Sequence, residues 1–385
     1  MKKELLVGII GCGIIGMNQI KAFSRIQGVR VTAVSDIAKE KAEKAASLVD
    51  ARPYSDYKTM LREETLDLVS VATPDHLHKQ PVIDSINAGI KNLICEKPLA
   101  TSVEDAYEMV RAVKNRSVRF CVDFENRWLP TFRAIKMAVS EGVIGEPVYA
   151  SAMLSDRIDV PLEMWGPPET SWARNSTCAD FLLSHWTDLI RWIVRKNPET
   201  VYAVSHNRKL GFTPDYFQAI IRFEDHFTSY FESSWILSRS QPTIVSSTLD
   251  IFGTDGTVYC NHIQKSTFTL PGTEIFSDDF EKLKMLNNIL RAQGIASEIS
   301  TRMESHDLKG NLIEPTPKYS LKVFKEGHDP RKISNTFSHM IECIRLSKNP
   351  EPDIEAGLMQ VKMVYAIKES AKTGQLIKIS DLNTS

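Results

Sequence analysis

Three groups of residues in this 385-residue chain have types and spacings that could do chemistry. The first is the turn Gly11–Gly16, Gly-Cys-Gly-Ile-Ile-Gly, which follows an apolar strand and opens a helical stretch. In that context the three glycines allow a tight turn, close approach of a pyrophosphate, and packing of the helix on the strand. Asp36 ends the next strand, where a carboxylate accepts a ribose 2′-hydroxyl and repels a 2′-phosphate. The spacing predicts a dinucleotide site that prefers NAD, with NADP disfavoured.

The second group is Glu96-Lys97-Pro98, which follows the fourth predicted strand. Open α/β sheets bind ligands at the carboxyl ends of their parallel strands, which is where this group falls. The positive charge of an oxidised nicotinamide and partial burial would both favour the neutral amine, so that Lys97 could accept a proton. The alternative is a surface lysine in a proline-containing turn, which is the ordinary fate of a lysine.

The third group lies in a helix predicted over 179–194, where His185 and Asp188 are three residues apart and share a face. Asp188 could fix the tautomer of His185, or it could cap the helix or pair elsewhere. A lone helical histidine is more often structural than catalytic. Trp172 and Arg174 precede this helix and could meet a sugar, by aromatic stacking and a bidentate hydrogen bond.

A metal site is suggested by Asp75, His76 and His78, but the pattern does not support one. The two histidines lie on a strand-to-helix turn and therefore point in different directions. No third cluster of His, Cys or Asp ligands accompanies them. We predict no metal.

The N-terminal third alternates strand and helix patterns, as a scaffold for these groups would require. Apolar strands are predicted at 5–10, 29–34, 66–72, 93–95 and 118–124. Fully apolar strands indicate a parallel sheet that is covered on both faces. Five such strands separated by helices predict an α/β Rossmann domain over residues 1–124.

Longer strands dominate the second part, residues 125–385. Strand alternation is found at 201–209, 216–223, 227–235, 246–253 and 256–260. Hairpin turns between these strands predict an α+β domain with an open antiparallel sheet. Helices predicted at 334–347 and 355–372 would pack back on the first domain. Residues 264–332 are polar and weakly periodic, and the pattern does not assign them.

Composition excludes several other classes of protein. The formal net charge is −1 and no run of five like charges occurs, so the basic footprint of a nucleic-acid binder is missing. Hydrophobic residues make up 42% of the chain, which excludes disorder as its main state. Six cysteines without a close pair fit a reducing compartment. The apolar run Leu5–Met17 is too short to span a bilayer and has no cleavage site, so we expect a cytoplasmic protein that does not bind membranes.

Together these residues resemble the glucose–fructose oxidoreductase/inositol dehydrogenase (Gfo/Idh/MocA) family nearly end to end. Asp75 replaces the asparagine of that family's T-P-N-x-x-H turn, and Asp123, Glu125 and Asn126 depart from its G-F-N-R-R-F-x-P stretch. The similar segments are Gly11–Gly16 with Asp36, Thr73–His78, Cys95–Pro98, Val122–Pro130, Ser184–Leu189, Gly253–Gly256 and Glu369–Gly374.

The resemblance implies an NAD-dependent oxidoreductase acting on a secondary alcohol of a sugar, an inositol-like polyol or a glycoside. It implies Lys97 as the acid/base and His185 as a second acid/base or hydrogen-bond partner. The implied cofactor-binding residues are Gly11, Cys12, Gly13, Ile14, Ile15, Gly16, Asp36, Thr73, Pro74, His78, Glu96 and Lys97. The substrate-pocket candidates are Lys97, Arg127, Trp172, Arg174, Asp180 and His185. An exposed sheet face would make the protein a homodimer or homotetramer.

One departure affects the site directly. The family carries an aspartate four residues before the histidine, whereas here that position is Phe181 and Asp180 lies five before His185. On a regular helix Asp180 would lie about 140° away from His185. It reaches the site only if the helix begins after Phe181 or if a π-bulge re-aims it. We therefore predict that Lys97 and His185 carry the proton transfer and that Asp180 orients substrate.

Three other functions stay open. Some members of the family are glycosidases that hold NAD tightly and show no net redox change. A non-catalytic cofactor-sensing regulator is known on the same fold, and a plain binding module is the third possibility. Retention of Lys97 argues against the last two, because neither needs a residue that transfers protons.

Overall fold

The computed structural model describes residues 4–164, 169, 171–241, 243–261, 272–306, 312–324, 326–328 and 334–382. Its N-terminal part forms a six-stranded parallel sheet in the order β3-β2-β1-β4-β5-β6. The strands are β1 (Leu5–Ile10), β2 (Val29–Ser35), β3 (Arg52–Tyr54), β4 (Leu68–Val71), β5 (Asn92–Glu96) and β6 (Arg119–Asp123). Every residue of β4 and β5 is buried, which confirms a parallel sheet covered on both faces.

Five helices accompany this sheet. They are α1 (Ile14–Phe23), α2 (Lys39–Ser47), α3 (Tyr57–Glu63), α4 (Lys79–Asn87) and α5 (Val103–Asn115). The strand order reverses between β1 and β4, and ligands of open α/β sheets bind in the crevice that such a reversal leaves at the carboxyl ends. Strand β3 was not predicted, because three residues are too few to show a strand pattern.

The described residues of the second part form a ten-stranded sheet in the order β14-β15-β13-β12-β11-β7-β10-β9-β8-β16. Its strands are β7 (Pro147–Arg157), β8 (Pro198–His206), β9 (Tyr216–Phe223), β10 (Thr228–Leu237), β11 (Val245–Gly253), β12 (Gly256–Asn261), β13 (Gly272–Ser277), β14 (Ser297–His306), β15 (Leu312–Val323) and β16 (Ile377–Lys378). The open, mostly antiparallel sheet is thus confirmed. Strands β7 and β10 pair in parallel, which requires a crossover, and the chain between β7 and β8 provides it.

Four helices pack against one face of this sheet. They are α6 (Pro130–Ser140), α7 (Ser184–Val194), α8 (Phe280–Ala292) and α10 (Ile354–Thr373). Helix α9 (Thr336–Leu346) packs instead against the first part, beside α1 and β6. Short 3₁₀ turns occur at Asp75–Leu77, Glu125–Trp128, Trp172–Asn175, Glu224–His226 and Ile379–Leu382, and π-helical turns at Val160–Met164 and Ala179–Leu183. No helix in these described ranges combines the length and the apolar character that a membrane crossing needs.

The segment 264–332, which the sequence pattern did not assign, contains β13, α8, β14 and β15. Residues 264–271, 307–311, 325 and 329–332 of this segment lie outside the described part of the chain. Helix α8 begins at the side-chain cap Asp279 and buries Leu283, Leu286 and Leu290. Residues 312–318 of the β14–β15 hairpin are exposed, so burial imposes no alternation on them.

Helix α10 belongs to the cores of both parts. Its first half contributes Ile354, Leu358 and Val361 to the core beside the first sheet. Its second half contributes Met363 and Ile367, among others, to the core beneath the second sheet. The helix therefore joins the two parts of the chain through both of their cores.

Candidate active site

The glycine turn lies at the carboxyl end of β1. Gly11 has a φ of +97°, and a Cβ added at Gly16 would lie 1.9 Å from the carbonyl oxygen of Gly11. A Cβ at Gly13, in contrast, would face open space. No side chain caps helix α1, whose first N–H groups follow Gly13. Such a helix start is suited to an anion, and the open space in front of Gly13 lets a pyrophosphate approach.

Asp36 lies across from this turn, after β2. Its two carboxylate oxygens accept the N–H groups of Cys12 (2.9 Å) and Ala38 (2.8 Å), which fixes the carboxylate beside the glycine turn. The next side chain, Ile37, is 94% exposed. The residues present therefore fit a dinucleotide, with Gly11–Gly16 holding its pyrophosphate and Asp36 its ribose. The exposed side chains of Ile14 and Ile15 line the outside of the turn.

Thr73, Pro74 and His78 connect the loops that follow β4 and β5. The ring nitrogens of buried His78 contact the carbonyl oxygens of Pro98 (Nδ1, 2.8 Å) and Thr73 (Nε2, 2.9 Å). Burial lowers the pKa of His78. Asp75 accepts a hydrogen bond from the Ser176 hydroxyl (2.5 Å) and so joins the two parts of the chain. Among the described residues no group of His, Cys, Asp and Glu is arranged for a metal ion.

Lys97 directly follows β5 and reaches across to the second part. Its Nζ donates to the carbonyl oxygen of Phe181 (3.1 Å) and lies 4.2 Å from the centroid of the Phe181 ring. Glu96, one residue earlier, is buried and accepts a hydrogen bond from Gln19 of α1 (2.6 Å). The ammonium group therefore lies in the crevice, between the edge of the first sheet and the π-helical turn before α7.

His185 lies in the first turn of α7. Its Nδ1 accepts a hydrogen bond from the Asn126 amide (3.2 Å) and lies 3.7 Å from a carboxylate oxygen of Glu125. Burial, and then the charge of Lys97, lower the pKa of His185 well below its ordinary value of 6.5. The ring is therefore neutral at pH 7. Because Nδ1 accepts, Nε2 carries the ring proton and can donate it to a substrate oxygen.

Asp180 lies in the π-helical turn Ala179–Leu183, which breaks the regular helix that the sequence pattern suggested. Its carboxylate oxygens accept from Lys368 of α10 (2.6 Å) and from the Thr177 hydroxyl (2.7 Å). Lys368 also donates to the carbonyl oxygen of Thr101 (3.2 Å). The π-turn thus re-aims Asp180 toward α10, and both of its oxygens have protein donors. A role in orienting substrate stays a prediction.

Arg127 and Asp188 form a buried, bidentate ion pair, with Nε–Oδ2 and Nη2–Oδ1 distances of 2.8 and 2.5 Å. Asp188 therefore pairs with Arg127 and does not fix the tautomer of His185. The hydrogen bond from Asn126 to Nδ1 fixes that tautomer. The guanidinium of Arg127 also lies 5.6 Å from the centroid of the Trp192 ring, within the interior. As a substrate ligand Arg127 remains a prediction.

Aromatic rings line the wall beneath Lys97. The Trp172 ring lies 4.9 Å from that of Phe181 and 5.5 Å from that of Trp235, centroid to centroid. Arg174 is exposed and lies over the Phe212 ring at 4.6 Å. The structure thus places Phe181 against Lys97 and Trp172 against Phe181, whereas the guanidinium of Arg174 packs on Phe212.

Asp156, at the end of β7, is a functional candidate that sequence reasoning missed. It is 2% exposed, and its Oδ1 has no hydrogen-bond partner among the described residues. Burial raises the pKa of Asp156 to about 7, although the charge of Lys97 acts in the opposite direction. No motif surrounds Asp156, so no local signal could have marked it.

Glu125 and Asp123 also lie close enough to Lys97 to interact with it electrostatically. The Glu125 side chain is 52% exposed and lies next to the His185 ring. The surrounding protein still desolvates its carboxyl group and raises the pKa of Glu125 to about 7. Both residues fall in the Val122–Pro130 stretch, where their departure from the family pattern was the available signal.

Comparison with known proteins agrees with this fold. Residues 5–124 match the family profile described as "Oxidoreductase family, NAD-binding Rossmann fold". Residues 132–259 match "GFO/IDH/MocA C-terminal domain". D-apiose dehydrogenase of Paraburkholderia graminis is 27% identical over 99% of this chain and 91% of its own length. Inositol 2-dehydrogenase of Acidothermus cellulolyticus is 31% identical over 55% of this chain and 60% of its own length.

Some curated relatives are matched over little more than half of their length, 58% for an uncharacterized oxidoreductase of Bacillus subtilis. Two solved structures share the fold. Scyllo-inositol dehydrogenase from Lactobacillus casei, with bound NAD(H) and scyllo-inositol, has a TM-score of 0.71 at 17% identity, covering 98% of this chain and 100% of its own. WlbA dehydrogenase from Bordetella pertussis, in complex with NADH and UDP-GlcNAcA, has a TM-score of 0.72 at 23% identity, covering 98% and 99%. This chain belongs to the Gfo/Idh/MocA family of oxidoreductases, whose first domain is an NAD-binding Rossmann fold.

Proposed function

We propose that the protein is an NAD-dependent dehydrogenase that interconverts a secondary alcohol and a ketone on a sugar or polyol. The observation that carries this proposal is that Lys97 lies close enough to His185 for its charge to lower the pKa of that ring. Lys97 comes from the edge of the first sheet and His185 from α7, and the glycine turn opens on the same edge. Relatives named D-apiose dehydrogenase and inositol 2-dehydrogenase support the substrate class.

A nicotinamide held at this edge would supply the hydride acceptor or donor. In oxidation, Lys97 would first have to lose a proton, which the positive charge of a bound oxidised nicotinamide favours, and its neutral amine would then accept the hydroxyl proton through Nζ. The neutral ring of His185 donates from Nε2 to a substrate oxygen and orients it, since Asn126 occupies Nδ1. The partly buried Trp172 offers an aromatic face to the C–H groups of a sugar ring.

The first experiment is a panel of sugars and inositols with NAD, followed by the absorbance of NADH. On the best substrate, Lys97→Met should lower kcat by roughly 10²–10⁴ while leaving dinucleotide affinity nearly unchanged. Lys91→Met, on the exposed start of the same loop–strand unit, is the matched control and should remain active. A fully active Lys97→Met enzyme would contradict the acid/base role of Lys97. A wild type that binds NAD but oxidises no member of the panel would favour the sensor. Product formed without NADH would favour the glycosidase.

We also propose NAD as the preferred cofactor and a reducing, cytoplasmic location. The Asp36 carboxylate, fixed by Cys12 and Ala38, would repel a 2′-phosphate. All six cysteines are buried thiols without a disulfide, which supports a reducing compartment.

The outer face of the second sheet supports a homo-oligomer. Large apolar side chains are exposed along it, namely Tyr149, Tyr202, Ile220, Tyr259 and Phe276. Three rings form a continuous ladder, with Phe252–Tyr259 and Tyr259–Phe276 centroid distances of 5.8 and 6.0 Å. Apolar patches of this kind are covered in most soluble proteins. Sedimentation of the wild type against Ile220→Asp tests it: a homodimer or homotetramer should dissociate, and a monomeric wild type contradicts the proposal.

A further inference from the structure

Two buried carboxyl groups lie side by side at the carboxyl ends of β5 and β6. Glu96 and Asp123 face each other in register across the parallel strands and are 7% and 4% exposed. In-register residues of parallel strands point to the same side of the sheet, so the two carboxyl groups lie within hydrogen-bonding reach of each other. Two buried carboxylates this close repel each other, and a hydrogen bond between them needs a proton because an ionised carboxylate only accepts. We therefore expect one proton in the pair.

The neighbours show which group carries that proton. The Ser70 hydroxyl donates to the amide oxygen of Gln19 (2.8 Å), and the amide nitrogen of Gln19 donates to Oε1 of Glu96 (2.6 Å). Since Oε1 accepts, the other oxygen of Glu96 is the one that can donate to Asp123. Burial, then the charges of Asp123 and Glu125, raise the pKa of Glu96 well above its ordinary value. Burial raises the pKa of Asp123 as well, but its contacts with Thr336 and Glu96 and the charge of Lys97 lower it. The chain of donors therefore favours the proton on Glu96 and the negative charge on Asp123.

The charge that remains is poorly compensated by other donors. Oδ1 of Asp123 has no hydrogen-bond partner among the described residues. Two charged groups act on the pair. The positive charge of Lys97 stabilises its negative charge, and the negative charge of Glu125 repels it. Thr336, at the start of α9, is the further neighbour that favours ionised Asp123.

The pair adjoins both Lys97 and the helix that begins at the glycine turn. Gln19 belongs to α1, the helix that begins at the turn, and Lys97 is the residue after Glu96. A ring that reaches from the turn to Lys97 therefore passes close to this charge. In the low-dielectric crevice a unit charge still acts over such a distance.

We propose that Glu96 and Asp123 share one proton, and that the single negative charge they keep makes this end of the crevice prefer the oxidised, cationic dinucleotide over the reduced one. The inference rests on the proposed function, because it requires a dinucleotide with its ring beside Lys97. It adds a difference in affinity: the enzyme would bind NAD⁺ more tightly than NADH, so a larger fraction of it would hold the cofactor needed for alcohol oxidation. A shared proton also explains why Asp123 occupies the position of a glycine in the family pattern.

Three isosteric variants test the proposal by calorimetric titration with NAD⁺ and with NADH. Glu96→Gln and Asp123→Asn each leave one carboxyl group that can ionise, so the ratio of the two affinities should stay within about twofold of wild type. The double variant keeps the hydrogen bonds but has no charge. It should lose NAD⁺ affinity relative to NADH by about three- to thirtyfold. Asp67→Asn, at the amino end of β4 and thus at the opposite end of the strands, is the matched control and should keep the wild-type ratio.

An unchanged ratio in the double variant overturns the proposal. So does a full shift in either single variant, which would mean two independent charges. If the wild type binds neither dinucleotide, the proposed function fails instead, and infrared spectroscopy still decides the shared proton. Asp156 and Glu125 contribute protonated carboxyl bands to both proteins at neutral pH, so the comparison is the wild-type spectrum minus that of the double variant. This difference should contain the carbonyl band of one further buried, protonated carboxyl group. A difference spectrum without that band overturns the proposal.

Discussion

Replacing Asp156 by asparagine should stabilise the protein, and the gain should grow with pH. Asp156 is almost fully buried, and its pKa is about 7 in the fold against an ordinary 3.8. Below pH 3.8 the carboxyl group is protonated in both the folded and the unfolded state, so its titration does not reduce the free energy of unfolding. As pH rises from 3.8 to about 7, ionisation favours the unfolded chain. Above pH 7 the penalty is constant at about 4 kcal/mol.

The assay is urea unfolding of wild type and Asp156→Asn at pH 5 and pH 8. Asparagine has the same shape and no charge, so the variant should be more stable by about 1.5 kcal/mol at pH 5 and about 4 kcal/mol at pH 8. Asp159→Asn is the control. Asp159 accepts a hydrogen bond from Arg157 (3.0 Å), its pKa is lowered, and its loss should destabilise the fold at both pH values.

A variant that is no more stable than wild type at pH 8, or whose advantage does not grow with pH, would refute this reasoning. A confirmed gain would also have a functional meaning. A chain that keeps a carboxyl group at the expense of stability does so where the group is used, and the charge of Lys97 acts directly on Asp156. Activity of Asp156→Asn on the best substrate should then fall while its stability rises.

Three further predictions concern the rest of the site. Gly16→Ala should abolish NADH binding, measured by fluorescence, because its Cβ would lie 1.9 Å from a backbone carbonyl oxygen that cannot move aside. Asp36→Ala combined with Ile37→Arg should shift the NADP/NAD ratio of kcat/KM upward by at least about tenfold, because a repelling charge is replaced by an attracting one. Asp180→Asn should raise KM and lower stability by about 2–4 kcal/mol, since it leaves Lys368 without its counter-charge, and adding Lys368→Met should restore much of that stability.

Each of these has an outcome that contradicts it. Wild-type NADH affinity in Gly16→Ala would show that the turn is not a close-approach site. A wild type that uses NADP as well as NAD would refute the role given to Asp36. If Asp180→Asn lowers kcat as much as His185→Ala does, the Asp180 carboxylate acts at the reacting atoms and not mainly through substrate affinity.

Local context explains what the sequence could predict. The glycine turn, Asp36 and Lys97 each sit at the end of a buried strand, so strand periodicity and residue type together placed them at one edge. Their neighbourhood follows from a rule of parallel sheets, not from distant contacts. The fold class followed in the same way, from apolar strands that alternate with helices.

The rest of the site depends on contacts between distant segments. Asp156 lies inside a strand, between Ser155 and Arg157. It becomes a functional candidate only because the fold of the second sheet places it close enough to Lys97 to interact electrostatically. Asp188 could be assigned neither to His185 nor to Arg127 until both were placed in space. The π-turn at Ala179–Leu183 was one of the two geometries that the position of Phe181 left open, and helix periodicity alone could not choose between them.

The two-sided packing of helix α10 has a consequence for synthesis. The core beside the first sheet takes Ile354, Leu358 and Val361 from α10, and a second core on that sheet takes Met340 and Ile341 from α9. A ribosome adds about 5–20 residues per second, so on the order of 10–50 s separate the emergence of β6 from that of α10. During that interval the nascent dinucleotide domain exposes the apolar surface that these helices later cover. We therefore expect a fragment ending at residue 124 to aggregate, and residues 334–373 supplied in trans to restore its solubility.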